Sequence, residues 1–212
     1  MNPDFIFFGT VFAAFFAIMN PLANTPVFLG LTEGMDGRTT RQLALNSLIL
    51  TFIIVSVFAL LGNAVLNFFG ITLYAFKVAG GILVGLVGYN LLHGNHSSVQ
   101  KPSDEHLEKS GDATLGMAVS PLAMPILAGP GTLVTAMNYA ADGGFKHLLA
   151  VILSFSLVCL MTFFCFVSGN VVTKFLGQNF IMVISRIMGL ILAVIGIQML
   201  IDGIRAAVAA TG

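Results

Sequence analysis

Six stretches of this chain, at about residues 5–31, 43–68, 72–93, 114–140, 147–168 and 181–203, are apolar over the length of a membrane span. A span needs about 20 mostly apolar residues to cross roughly 30 Å of hydrocarbon. Only 8% of the 212 residues are charged and 57% are hydrophobic, against roughly a quarter charged in soluble domains. The pattern predicts an all-α integral membrane protein of six transmembrane helices. The helices and their connectors use nearly the whole chain, so 1–212 reads as a single membrane domain whose activity resides among the helices. Nine Lys and Arg balance nine Asp and Glu, which leaves no basic surplus to track nucleic-acid phosphates. The expected surrounding is the lipid bilayer, with no nucleic acid as partner. The first stretch lacks a basic start and a small-residue cleavage site, so it reads as a retained helix. Cys159 and Cys165 share one apolar span without metal-ligand spacing and read as reduced thiols.

The halves of the chain resemble one another. "GGILVGLVGYN" at 80–90 and "MGLILAVIGIQ" at 188–198 coincide at a shift of 108, placing Gly81, Gly85 and Gly88 on Gly189, Ala193 and Gly196. "LGN" ending at Asn63 matches "SGN" ending at Asn170, and Gly70 matches Gly177, both at a shift of 107. "PLANTP" (21–26) and "PILAGP" (125–130) share a P-x-x-x-x-P spacing at a shift of 104, a drift that implies an insertion near "ADGGFKH". The expected organisation is repeat one over 1–93, a linker over 94–113 and repeat two over 114–212. Three spans per repeat force the second copy to enter from the opposite side, which makes the repeat inverted, as in many transporters. Gly81, Gly85 and Gly88, and their counterparts Gly189, Ala193 and Gly196, lie at i, i+4, i+7 and read as helix-packing faces that let backbones approach.

Proline inside a helix removes an amide donor and clashes with the carbonyl four residues back. "IMNPLANTPVF" at 18–28 and "SPLAMPILAGPGT" at 120–132 therefore interrupt the first helix of each repeat. Irregular backbone within a bilayer is tolerated only where it is buried in protein or lines a wet cavity. A packing kink would account for one such break. Paired at matching places, they point to a site, with half-helix ends offering dipoles to a zwitterion near the midplane. The candidate substrate-binding residues are Asn20, Pro21, Asn24, Thr25 and Pro26 in the first break, and Pro125, Gly129, Pro130, Gly131 and Thr132 in the second. Thr135 and Asn138, one to two turns further, complete the set.

"NPLANTPVF", "PLAMPILAGPGT" and "RIMGLILAVIGIQMLIDGIR" resemble the signature segments of the MarC family, also called the small neutral amino acid transporter family, of UPF0056-type integral membrane proteins. The resemblance runs from the first helix to the last. It implies a six-helix protein of a bacterial-type inner membrane, with members that move glycine, alanine and similar neutral amino acids such as serine or threonine. It does not imply drug efflux. Ala23 stands where the family's first motif often has glycine, and its methyl group narrows the approach of a substrate to the backbone.

Cations in the connectors after the first, third and fifth spans (Arg38, Arg41, Lys101, Lys109, Lys174) outnumber those opposite (Lys146, Arg205 and, near a helix end, Lys77). By the positive-inside rule the 94–113 linker is cytoplasmic and both termini face outward. No intramembrane carboxylate pair offers a proton relay: Asp202 stands beside Arg205 at i, i+3, the spacing of a surface ion pair. No cofactor is implied; coupling to Na+, to H+ or to neither stays open. Lys77 and Arg186 read as cations reaching the interface, with a gating or carboxylate-binding role as the alternative. His93, His96 and His106 lack the partners of a metal shell, so no metal is expected. Asn46, Ser47, Asn90 and Gln198 are polar groups placed to bond between helices. H-E-x-x-H and G-x-S-x-G motifs are missing, which argues against an enzyme. The leading expectation is a secondary transporter of small neutral amino acids by alternating access. Its alternatives are a channel or exporter for another small solute, or an assembly protein using its small-residue faces to form a homo-oligomer.

Overall fold

The computed structural model describes residues 3–94, 127–141 and 144–211, and these form helices and short turns without a strand among the described residues. The helices are α1 (Pro3–Met19), α2 (Pro21–Leu31), α3 (Gly37–Phe68), α4 (Leu73–Leu92), α5 (Pro130–Ala141), α6 (Gly144–Val167) and α7 (Gly169–Thr211). Five segments among the described residues are long and apolar enough to cross a membrane: Asp4–Leu31, Gly37–Gly62, Leu73–Leu92, Gly144–Val167 and Gly169–Ala210. The first part of the expected span at 114–140, the linker at 94–113 beyond Gly94, and Pro125, His96 and His106 lie outside the described residues. Large apolar side chains such as Phe68, Leu86, Leu160 and Val194 stand exposed along the long helices, the surface a bilayer rather than water accommodates.

Helix boundaries follow local chemistry. α1 stops at Met19 because Asn20 takes left-handed geometry (φ 37°, ψ 68°) and Pro21 then opens α2 at a position where its missing amide is harmless. α3 starts at the cap Asp36, whose carboxylate accepts from the amides of Arg38 and Thr39 and from the Thr39 hydroxyl. It ends at Phe68, two residues before Gly70, which has φ 66°; there the Ile71 amide donates to the Leu66 carbonyl at 2.8 Å, the glycine-terminated stop that a left-handed residue permits. Gly177 has similar geometry (φ 73°) and kinks α7 into a short leading segment and a long one.

Two apolar cores hold these helices together. One joins Val11, Phe15 and Met19 of α1 to Phe28, Leu43, Val55, Phe155 and Phe166 of α2, α3 and α6, with the Phe28 and Phe166 rings stacked at 4.3 Å. The other joins Ala17 and Ile18 to Val84, Leu91, Val134, Leu192 and Met199 of α4, α5 and α7. The first break thus sits where the cores adjoin.

α4 and α7 pack backbone to backbone in antiparallel sense. A Cβ on Gly81 would lie 2.6 Å from the Gly196 carbonyl oxygen, and one on Gly88 2.7 Å from that of Gly189. Gly189 and Gly196 make the reciprocal approaches. Gly85 differs from the sequence expectation: a Cβ there meets open space, and its part in the contact is the bare backbone on which Gly196 rests. Ala193 likewise contributes its backbone amide, facing Gly88. Two further glycines, Gly62 near the end of α3 and Gly169 at the start of α7, make close contacts with neighbouring helices. Gly62 lies against Met137 of α5, and Gly169 against Leu29 and Thr25 of α2.

Gly81→Ala and Gly88→Ala are therefore expected to lower stability by about 1–3 kcal/mol, since backbone must move to admit a methyl group. Gly85→Ala should be neutral, or stabilising by up to about 1 kcal/mol through helix propensity; thermal unfolding in detergent measures all three. At the Asp36 cap, hydrogen bonds from the Thr39 hydroxyl and then its amide hold the carboxyl below its ordinary value of 3.8. A depressed carboxyl stabilises above its unfolded-state pKa and loses that contribution as pH falls through the folded-state value. Asp36→Ala should melt below the parent at neutral pH, and the two should converge well below pH 3.8.

Candidate functional site

The break between α1 and α2 is closed by its own side chains. The Asn24 amide nitrogen donates to the Met19 carbonyl at 2.6 Å, and the Thr25 hydroxyl to the Pro21 carbonyl at 2.7 Å. Asn20 caps α2 by accepting from the Ala23 amide at 3.4 Å. Asn20, Asn24 and Thr25 are all buried. All three polar groups proposed from sequence for the first break thus bond backbone. Asn20 alone of the three keeps a spare group, because its amide nitrogen is buried with no partner among the described residues. Pro21 is buried and Pro26, inside α2, is half-buried.

The second break repeats the device with different chemistry. The Thr132 hydroxyl donates to the Leu127 carbonyl at 3.1 Å, spanning five residues as Asn24 does to Met19. The Gly129 carbonyl accepts from the Thr132 and Leu133 amides at 2.9 and 3.2 Å. The interruption lies at Ala128–Gly129, and Pro130 opens α5. Helix starts at Pro21 and Pro130 stand 109 residues apart, closer to the 107 and 108 of the glycine matches than to the 104 of the P-x-x-x-x-P pairing. The pairing misleads because a proline at the first helical position starts a helix, whereas the residue before it makes the break. Gly131 and Thr132 are buried, Gly129 half-buried and Pro130 exposed. A Cβ on Gly131 would meet only Val87, at 3.9 Å.

Thr135 is fully buried and its hydroxyl has no partner among the described residues, and the same holds for the side-chain oxygen of half-buried Asn138. The last turn of α1 shares a core with Val134. Asn20 directly follows that turn and Thr135 follows Val134, so the two unpartnered groups belong to neighbouring backbone. α5 packs against α1, α3, α4 and α6, while α2 packs against α6 and α7. The structure therefore sets the end of α1, rather than the start of α2, beside the second half-helix. An unmade hydrogen bond on a buried polar group costs about 1–3 kcal/mol, which makes these atoms the ones disposed to receive a ligand or water.

Ser47 and Thr51, one turn apart on α3, are also fully buried with hydroxyls that take no partner among the described residues. By contrast the hydroxyls of Thr162 and Ser185 return to the carbonyl four residues back. Sequence reading singles out Ser47 and passes over Thr51; the i, i+4 spacing was the available signal. Asp202 accepts from Gln198 at 2.9 Å, in place of the ion pair expected with Arg205. The described residues contain no cluster of three metal-ligating side chains, and Cys159 and Cys165 are free.

With two interrupted helices and buried unpartnered polar groups inside an apolar bundle, comparison with known proteins decides the family. A model described as MarC family integral membrane protein matches residues 5–208. The chain belongs to the MarC family. It is 38% identical over 203 residues to the UPF0056 membrane protein YvbG of Bacillus subtilis (strain 168), covering 95% of each chain. It is 37% identical over 207 residues to the UPF0056 membrane protein MJ1677 of Methanocaldococcus jannaschii, covering 96% of this chain and 98% of that one. A third relative, the UPF0056 membrane protein PH0760 of Pyrococcus horikoshii, is 37% identical over 201 residues, 94% of this chain and 95% of its own. No solved structure matches this MarC chain.

Replacing Asn24 with Leu, or Thr132 with Val, removes a bond that closes a break and should lower stability by about 1–2 kcal/mol. Thr132→Ser keeps the hydroxyl and should recover most of the loss. Thermal unfolding in detergent reads the ordering Thr132→Val, Thr132→Ser, parent from lowest to highest.

Proposed function

We propose that this protein is a secondary transporter of small neutral amino acids, working by alternating access around the two interrupted helices of an inverted three-helix repeat. One observation carries the reading: the same contacts recur at an offset of 107 to 108 residues. The closing bonds Asn24 to Met19 and Thr132 to Leu127 are 108 residues apart at both ends. Gly62 against Met137 and Gly169 against Leu29 correspond at 107 and 108. Gly81 against Gly196 becomes, on the same shift, Gly189 against Gly88, so the pair exchanges members. Antiparallel elements that exchange in this way are what a two-fold axis in the membrane plane produces.

Such a repeat supports two states of similar energy, opening to opposite faces around a shared centre. Asn20, Thr135 and Asn138 supply an amide donor, a hydroxyl and an amide acceptor suited to a zwitterion's carboxylate and ammonium. The other candidate residues shape the breaks: Asn24 and Thr132 close them, and Gly129 and Gly131 keep the second backbone accessible. The substrate class is carried over from the family resemblance, and the relatives, named only as membrane proteins, give no sign of an enzyme. Positive-inside charge places the α2–α3 connector and the 94–113 linker at the cytoplasmic face of an inner membrane.

Proteoliposomes loaded with unlabelled alanine should take up labelled glycine and alanine by saturable exchange, with proton and sodium gradients imposed separately to reveal coupling. Asn20→Leu and Thr135→Val should each reduce exchange about tenfold or more, the worth of a hydrogen bond to a charged group, while keeping a cooperative thermal transition. Parent-like exchange in both variants would remove the site from the breaks, and no exchange by folded parent protein would remove the substrate class.

A further inference from the structure

Arg186 lies within an apolar span, where a long cation either reaches for the interface or serves a polar interior. In the structure it lines a cavity of about 360 Å³ walled by three elements: the first turns of α2, the end of α4 through Gly94, and α7 just past its kink. A Cβ on Gly94 would lie 3.8 Å from a terminal guanidinium nitrogen of Arg186. The carbonyl-rich end of α4 favours a cation there, and Arg186 itself is exposed. Gln178 and His93 share that cavity, and the His93 ring is anchored by Nδ1, 2.9 Å from the Tyr89 carbonyl. The Ser185 hydroxyl is already bonded to the Ile181 carbonyl. Among the described residues no Asp or Glu lines the space. The facing wall carries Ala23 and Pro26, on the helix that begins at the first break.

We propose that this cavity is a carboxylate-binding site on the approach to the first break, in which Arg186 holds both oxygens of a small amino acid's α-carboxylate and Gln178 adds a donor before the substrate passes to Asn20, Thr135 and Asn138. The identity of the ligand rests on the transporter reading; the chemistry of the site does not. A fork of N–H donors matches a carboxylate in bidentate geometry. The volume falls near the lower end of small-molecule sites, roughly 300–1,000 Å³, which suits a compact zwitterion. Positions 108 residues on from Pro26 and Leu91 are Val134 and Met199. Both are buried, and both reach Gly80 of α4. Leu91 is buried like its counterpart Met199, but half-buried Pro26 borders a cavity where its counterpart Val134 is packed.

A lipid phosphate offers related oxyanion chemistry, and the test separates the two. Met182 is exposed and lines the same cavity. Met182→Cys, in a chain carrying Cys159→Ala and Cys165→Ala, reports occupancy by its rate of maleimide labelling in detergent and in vesicles of phosphatidylcholine with or without phosphatidylglycerol. Alanine and acetate should slow labelling severalfold in every setting, while alaninamide, which lacks the carboxylate, should not. Arg186→Gln should abolish that protection and Arg186→Lys should keep part of it. In exchange assays Arg186→Gln should raise KM about tenfold with the maximal rate retained, the worth of one charge-assisted contact. Carboxylate protection without any exchange would uphold the site and overturn transport. Exchange without protection, or protection by phosphatidylglycerol alone, would overturn the site.

Discussion

Between Met19 and Pro21 the chain leaves helical geometry inside an apolar segment, Asp4–Leu31, where no solvent is at hand for the freed carbonyls and amides. Asn24 answers from one turn further on by donating to the Met19 carbonyl, and Asn20 answers from the break itself by accepting from the Ala23 amide. Without those bonds the interruption would cost several kcal/mol in hydrocarbon, and a continuous helix or a kink elsewhere would replace it. The two cores meet at this break: Met19 belongs to one, and Ala17 and Ile18, pointing to other sides of the same helical turn, belong to the other.

The same requirement explains why polar residues in such a chain are poor guides to a site when read one at a time. Asn24, Thr25 and Thr132 have the chemistry of ligand contacts, yet each is bonded to a carbonyl a few residues back. Asn20, Thr135 and Asn138 look no more distinctive in sequence, yet they retain unpartnered atoms in a buried setting. The difference lies in side-chain direction and in which carbonyls the breaks leave free, and neither is written in residue type. The spans themselves were legible, since an apolar run of sufficient length has few alternatives: α3, α4, α6 and the long part of α7 fall where hydropathy puts them. The breaks were legible as prolines. The register of the second was not, because proline starts a helix as readily as it ends one, and the deciding feature is the backbone of Ala128 and Gly129.

Glycine was the better guide. The positions picked out by spacing, Gly81, Gly88, Gly189 and Gly196, are those where one backbone lies on another. Spacing does not separate a glycine that yields room for a neighbour from one that only sits beneath it, and Gly85 is of the second kind. That distinction depends on where a Cβ would point, which varies by about 100° per residue and is fixed only when the crossing of the two helices is known.

If the halves are an inverted repeat, their differences matter as much as their likeness. An exact repeat would hold its inward and outward states at equal energy, with nothing to set a resting state. Here a left-handed asparagine in one break corresponds to an alanine–glycine pair in the other, and an amide closing bond at 2.6 Å to a hydroxyl bond at 3.1 Å. Pro26, half-buried beside a cavity, corresponds to Val134, buried at Gly80. A proline that cannot donate to the carbonyl four residues back leaves its helix easier to bend, whereas valine keeps the ladder intact. The first half-helix is on this argument the more compliant member of the pair.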